Sequence, residues 1–440
     1  MTISDVDTFE SAVPQAPHSR TRLAFFLFGL AILHGLVLNL MPVMFTTMGA
    51  TFHVDKAHQA LLKSYFFGGS AVVTLVAGYL TQYLGARCMT ILLGAVTGTG
   101  AVLFGLASTY SLVLMAACLL GVGVSPLVTI YAAVIAARFS DMHQRMYMWV
   151  YAFLAASVTV ATTGLGKLLD VLPSYHIIFI VLGLFIWFWV TLLLAFCWRD
   201  LDQLTKSAAD QRPSDTGSMA WRERIAAMGR FLTSGIFTRG ALYLMCLLML
   251  LDYLCVSTMY SWVPSFFEQL YAGAEGGRSV LGGAALSASA AGHCVGRIIM
   301  GSFPRGKIPD RLLLAGCYSG GVICFGLIVL LRPLYAVSLG LMFLEGVFIS
   351  AQAPAMSSLA VAKFGQRAPA VIPIYEAFGM LAAVFGPPLI GYLADRVGEL
   401  GTVLWLVPAA GLTLAAVAAA WELCDRKSGA ADPSAYPKLD

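Results

Sequence analysis

Residues 240–268 read GALYLMCLLMLLDYLCVSTMYSWVPSFFE, and between Arg239 and Glu268 the only charged residue is Asp252. A run this long and apolar exceeds the ~20 residues that a helix needs to cross the hydrocarbon core of a bilayer. A soluble helix would show a polar stripe every third or fourth residue, and this run has none. It reads as a buried membrane span with one acid near its middle.

Working outward, the same pattern recurs near 22–47, 58–80, 89–108, 111–137, 147–169, 174–198, 279–301, 312–331, 334–361, 370–394 and 400–421. The expectation is an all-α membrane protein with twelve transmembrane helices. Composition agrees: of 440 residues 59% are hydrophobic and 11% charged, and the mean hydropathy is +0.81. Soluble multidomain, collagen-like, disordered and disulfide-scaffold chains are thereby excluded. With a net charge of +4 and no basic patch, nucleic acid is not expected as a partner. Nine cysteines are scattered without a CxxC pair, so no metal site or disulfide framework is expected and each reads as a small core residue. Residues 1–19 lack the short apolar core of a cleaved signal, and the run from Leu23 is too long to be one, so the first helix is expected to stay.

Charge sets the orientation. All but six of the 27 Lys and Arg fall in the segments that share a side with the N-terminus, or at Arg297 within a span; the six are Lys56, Lys63, Lys167, Arg278, Arg332 and Arg396. Excess Lys and Arg mark the cytoplasmic side. The expectation is a multi-pass protein of the cytoplasmic (inner) membrane with both termini inside. Lys63 and Lys167 are expected to snorkel to the opposite boundary. One long polar stretch divides the chain almost in half. The expected organisation is a tail at 1–21, a six-helix bundle at 22–198, a linker at 199–239, a second bundle at 240–421 and a tail at 422–440. Within the linker, Trp221–Leu232 is amphipathic enough to lie on the membrane surface, with a simple solvated linker as the alternative.

The two halves also carry an internal duplication. At an offset of 222–225 residues, Ala137 and Phe139 fall on Ala362 and Phe364, and Ala152–Phe153 on Ala377–Phe378. Gly166, Leu168 and Asp170 fall on Gly391, Leu393 and Asp395. Gly121, Val122 and Ser125 meet Gly346, Val347 and Ser350; Gly94 and Gly98 meet Gly316 and Gly320; Pro42 meets Pro264. Two pseudo-symmetric six-helix bundles follow, with a substrate site expected at the seam. The glycine pairs read as close helix contacts, and a monomer is expected.

The stretch Gly78–Cys88, GYLTQYLGARC, after the second run gives the pattern a family. With twelve runs as six plus six and a basic central loop, it resembles the major facilitator superfamily over essentially the whole chain. The usual loop pattern of that family is G-x-L-a-D-r-x-G-r-k; Gly78, Leu80, Gly85 and Arg87 keep it, while Gln82 stands where aspartate is usual and Ala86 where arginine is. The charge relay attributed to that gating loop is therefore not expected in its usual form. GRIIMG (Gly296–Gly301), KIPDRLLL (Lys307–Leu314) and GPPLIGYLADRVG (Gly386–Gly398) are similar to other pieces of the family. The fucose/galactose/glucose proton symporters and the bacterial monocarboxylate group are the branches it resembles most. The resemblance implies a secondary carrier of a small-molecule solute, working by alternating access without a cofactor.

Ionisable groups at membrane depth cost at least a few kcal/mol and normally face a cavity or a partner. Six stand there: His34, Asp252, His293, Arg297, Glu345 and Glu376. At 1.5 Å per residue Asp252 lies about 18 Å into its helix and Glu345 about 16 Å into its own. His293 and Arg297, four residues apart, share one helix face. Tyr131 and Gln352 join them as candidate solute contacts, with Tyr65, Tyr151, Tyr253, Tyr260, Trp262 and Tyr375 as further aromatic and hydroxyl groups whose commoner use is packing.

Three acids stand against one arginine. Either some acids carry protons during the cycle, which favours proton symport, or a cationic solute balances them, which favours export by proton antiport. A carboxylate solute needs Arg297 as a bidentate partner. Nearby acids are expected to compete for it, and the first helix lacks a lysine, which ranks monocarboxylates and other organic anions below a neutral or sugar-like solute. An enzyme finds no support: HExxH and GxSxG are absent, and Gly164–Lys167 lacks the rest of a phosphate loop. A transporter-shaped receptor or assembly factor without flux is the remaining class.

Overall fold

The computed structural model describes residues 17–139, 142–172, 174–210, 239–272, 278–302, 310–332, 334–364 and 368–427. These are helical almost throughout, with no strand among them. The helices are α1 (Pro17–Leu38), α2 (Leu40–Val43), α3 (Phe45–Phe52), α4 (Lys56–Leu106), α5 (Tyr110–Val124), α6 (Leu127–Arg138), α7 (His143–Val171), α8 (Tyr175–Asp210), α9 (Gly240–Leu270), α10 (Arg278–Ser302), α11 (Asp310–Leu331), α12 (Tyr335–Ile349), α13 (Gln352–Phe364), α14 (Ala368–Val397), α15 (Leu400–Val403) and α16 (Leu406–Lys427).

Among the described residues, 10 segments are long and apolar enough to cross a membrane. The chain is a multi-pass membrane protein. Two of the twelve expected runs fall short of that measure for different reasons. Helix α10 is built largely from Gly, Ala and Ser, so it is less apolar than its neighbours; it packs against α7, α9 and α12, where small residues let backbones approach. The run near 334–361 is interrupted between α12 and α13 at Ser350–Ala351. A matching interruption parts α5 from α6 at Ser125–Pro126, where the proline lacks the N–H an unbroken helix would use. Ser125 and Ser350 are partners in the duplication.

Helix α4 joins two candidate spans, Lys56–Ala77 and Leu84–Leu106, through Gly85. Its φ of 78° is a left-handed value that costs glycine little, so the chain turns there without a Cβ clash. Helix α8 runs on to Asp210, past the expected boundary at 198, so the start of the expected linker is helical. The amphipathic stretch Trp221–Leu232 lies outside the described residues. On α8, Val181, Leu184, Phe188, Leu192 and Phe196 are exposed, an apolar face suited to lipid.

Contacts between the two halves of the chain run mainly through α4 with α14 and α7 with α10, and also through α2 with α9. Several of their polar bonds lie on the face opposite the described ends of the chain. There Lys56 pairs with Asp395 at 3.1 Å, Thr46 donates to Glu268 at 2.6 Å, and Asp170 accepts from the Val280 amide at 3.2 Å. On the face that holds Arg20 and Lys427, the described ion pairs stay within one half: Arg22–Asp200 and Arg87–Asp202 in the first, Arg311–Glu422, Arg311–Asp425 and Lys363–Asp425 in the second.

Lys63 corrects an expectation. It does not snorkel: it is 1% exposed, and its ammonium donates inward to the Leu38 carbonyl and the Asn39 Oδ1, both at 3.2 Å. The reason is the break between α1 and α2 at Asn39, which frees polar groups that a continuous helix would have satisfied. Lys167 is exposed.

Candidate functional site

Helix α9 positions Asp252, α10 positions His293 and Arg297, α12 positions Glu345 and α14 positions Glu376. All four helices belong to the second half. Asp252, 3% exposed, accepts a short hydrogen bond from Gln352 at the start of α13, and its Oδ1 has no partner. The break before α13 brings the Gln352 amide to this acid. Glu376 accepts from the Tyr253 hydroxyl at 3.1 Å. The Tyr253 ring meets Phe67 of α4 edge-on, centroids 6.0 Å apart, which carries the cluster across to the first half.

Glu345 is 0% exposed and accepts from Ser289 Oγ at 2.6 Å, with its Oε1 unpartnered. Ser289 also meets the Tyr260 hydroxyl at 2.9 Å, and that hydroxyl lies 3.3 Å from His293 Nδ1. Serine, tyrosine and histidine thus join Glu345 to the α10 face that carries Arg297 one turn further on.

Arg297 reaches across the seam. Its Nη1 donates to the Tyr151 carbonyl of α7 at 2.7 Å, the guanidinium stands 5.2 Å from the Tyr151 ring centroid, and Nε has no partner. Tyr151 lies within electrostatic reach of both Arg297 and Glu376, and Tyr260 within reach of Glu345, Arg297 and Asp252. The expected ionisable residues of the second half therefore share one buried neighbourhood at the seam.

One expectation about that neighbourhood fails. Among the described residues no carboxylate comes within ion-pair distance of Arg297. Each acid is held instead by a neutral donor, Gln352, Tyr253 or Ser289, so the acids do not compete for the guanidinium.

His34 stands apart from the acids. It is buried on α1, with Nδ1 3.4 Å from the Tyr131 hydroxyl of α6, and Tyr131 in turn lies within electrostatic reach of Tyr151. In the loop motif, Gly78 and Gly85 lie along α4, and the side chain of Gln82 falls outside the described residues. Arg87 donates to Asp202 at 2.8 Å and stacks 3.7 Å over the Trp198 ring. Arg311, Asp425 and Trp421 repeat that triad in the second half, at 2.6 Å and 5.1 Å. Both arginines tie helix ends within their own half.

Sequence reasoning missed Ser289, which nothing distinguishes from its neighbours on an Ala- and Ser-rich helix. It also missed Ser287, which meets Thr162 and Thr163 of α7 at 2.8 Å and 2.6 Å, and Glu268, buried against Thr46. Glu268 sits at the end of an apolar run, where an acid ordinarily reads as a boundary. Among the described residues no group of His, Cys, Asp and Glu is arranged to hold a metal ion.

Buried ionisable side chains at the seam of a many-helix membrane protein are features of a membrane transporter. The chain matches the sequence profile of the Major Facilitator Superfamily over residues 26–370. It belongs to that family, whose members carry small molecules across membranes. No curated protein sequence matches the chain.

Proposed function

We propose that this protein is a proton-coupled secondary carrier that moves a small organic anion across the cytoplasmic membrane by alternating access. Twelve helices in two six-helix bundles, residues 22–198 and 240–421, would rock about the seam, with both termini cytoplasmic and the protein acting as a monomer. In that orientation the cross-half bonds of Lys56, Thr46 and Asp170 lie on the outer side, which reads as a conformation closed outward.

The coupling reading rests on the acids. A buried charge without a counter-charge costs several kcal/mol, and among the described residues Asp252, Glu345 and Glu376 are each held by a neutral hydrogen-bond donor and by no cation. Each is therefore a natural proton site. With protons on the acids, Arg297 remains as an uncompensated cation, and an anionic solute would neutralise it.

The observation that carries the solute class is the Arg297 guanidinium, which among the described residues has no acid within ion-pair distance and an unpartnered Nε. It favours organic anions over the neutral or sugar-like solutes ranked above them, because it removes the first ground of that ranking, competition for Arg297; the second, a first helix without lysine, leaves Arg297 as the cation the anion would meet. Export of a cation by proton antiport loses ground for the same reason, since the cation would have to enter beside an unpaired arginine.

The test is uptake by proteoliposomes under an imposed pH gradient, with a panel of monocarboxylates, neutral sugars and amines. Accumulation of a carboxylate that collapses with a protonophore is the expected result. Accumulation of a sugar alone would overturn the anion reading and keep the carrier, and no flux of any solute would favour a transporter-shaped receptor.

A further inference from the structure

Two short segments in the chain have the same spacing and the same neighbours. GKLLD, Gly166–Asp170, ends α7, and GYLAD, Gly391–Asp395, ends α14; they correspond in the duplication. Each meets the first turn of a helix from the other half of the chain. Asp170 accepts from the Ser279 and Val280 amides at 3.4 Å and 3.2 Å, at the start of α10. Asp395 accepts from the Ala57 amide at 3.2 Å and from the Lys56 ammonium at 3.1 Å, at the start of α4.

The glycine of each segment makes the approach possible. A Cβ on Gly166 would stand 2.5 Å from the Ser279 carbonyl oxygen, and one on Gly391 would stand 2.8 Å from the Lys56 carbonyl oxygen. Any other residue would push the facing helix start away. The first amides of a helix have no partner within it and carry partial positive charge, so an acid held against them is stabilising. Glycine sets the distance and aspartate supplies the bond.

We infer that these two G-x-x-x-D segments are a duplicated latch that closes the mouth on the face opposite the described ends of the chain. One latch joins α7 to α10 and the other joins α14 to α4, the two largest contacts between the halves. Beside the second latch lies a cleft of about 300 Å³ between α3, α4 and α9, lined in part by Thr46, Gln59, Trp262, Ser265 and Gln269 and by Lys56 of that latch. Opening this face to the mid-membrane acids requires α4 to part from α14 and α10 from α7, so both helix starts must leave their aspartates. The latch rests on the alternating-access reading only for the movement it resists; its geometry is independent of solute and coupling ion.

The test uses the full chain in vesicles and a cysteine at position 265, Ser265→Cys, which is 5% exposed in the closed form. A membrane-impermeant maleimide is added to the latch face, and the same variants without the Ser265 change supply the background from native cysteines. Labelling should be slow in the parent. It should quicken about tenfold in the double variant Asp170→Ala/Asp395→Ala, from the loss of two helix caps, and also in Gly391→Leu. Asp170→Asn/Asp395→Asn should stay closer to the parent, because an amide oxygen still caps a helix. Parent-rate labelling in both the double alanine variant and Gly391→Leu, with each variant monodisperse in detergent, would overturn the latch. That failure would leave the carrier reading intact, and absence of transport would leave the latch standing, since labelling needs no solute.

Discussion

Replacing Arg297 by lysine separates charge from shape. Its Nη1 ties α10 to the Tyr151 carbonyl at 2.7 Å, while Nε is open. A carboxylate seated on the open edge would gain two parallel charge-assisted bonds, which a planar fork supplies and a point ammonium does not. Hydrogen bonds to charged groups contribute about 1.5–3 kcal/mol each. Loss of one in Arg297→Lys should therefore raise the KM for the carboxylate roughly 10- to 150-fold at ~1.4 kcal/mol per decade. Arg297→Gln, which removes the charge as well, should abolish saturable uptake. The measurement is initial-rate uptake into proteoliposomes at fixed pH gradient, with protein orientation and amount matched. A KM for Arg297→Lys within threefold of the parent, together with saturable uptake by Arg297→Gln, would refute the placement of the solute on this guanidinium.

Three further outcomes are expected. Asp252→Asn should abolish gradient-driven accumulation while sparing solute exchange measured by counterflow; full accumulation in that variant would remove Asp252 from coupling. Lys63→Met should lower the melting temperature of the purified protein by several degrees, because the Leu38 carbonyl and the Asn39 side-chain oxygen lose their donor at about 1–3 kcal/mol for each buried acceptor; an unchanged melting temperature would show that water or another donor replaces it. Asp55 caps α4 by accepting from the His58 amide at 2.8 Å, and that bond holds its carboxyl below the ordinary value of 3.8. Its contribution is therefore present at neutral pH and is lost as pH falls below about 4 through the lowered value. Asp55→Ala should cost about 1 kcal/mol at pH 7 and nothing once the parent's Asp55 is protonated, read as melting temperatures across the two pH values.

The helix register was legible because hydrocarbon admits few solutions. Every backbone polar group must be satisfied within the span, so long apolar runs between charged clusters mark helices almost by themselves. Interruptions were harder to read: Asn39 and Ser350–Ala351 sit in runs whose composition does not change, and only the packing of neighbours stabilises the breaks. The loop motif marks Arg87, but nothing in the chain says that Asp202 and Trp198 would receive it.

The sequence by itself determined that this is a polytopic helical protein of a known transporter family, and which ionisable side chains fall within its long apolar runs. Burying a charge in lipid is costly enough that such residues stand out one at a time. Tertiary structure alone decided who meets whom. It gave the acids to Gln352, Tyr253 and Ser289, left Arg297 open beside Tyr151, turned Lys63 inward and set Asp170 and Asp395 against helix starts of the opposite half. Those partners lie up to hundreds of residues away along the chain, on helices whose rotation is set by the packing of small residues against one another, and no local pattern records a helix rotation.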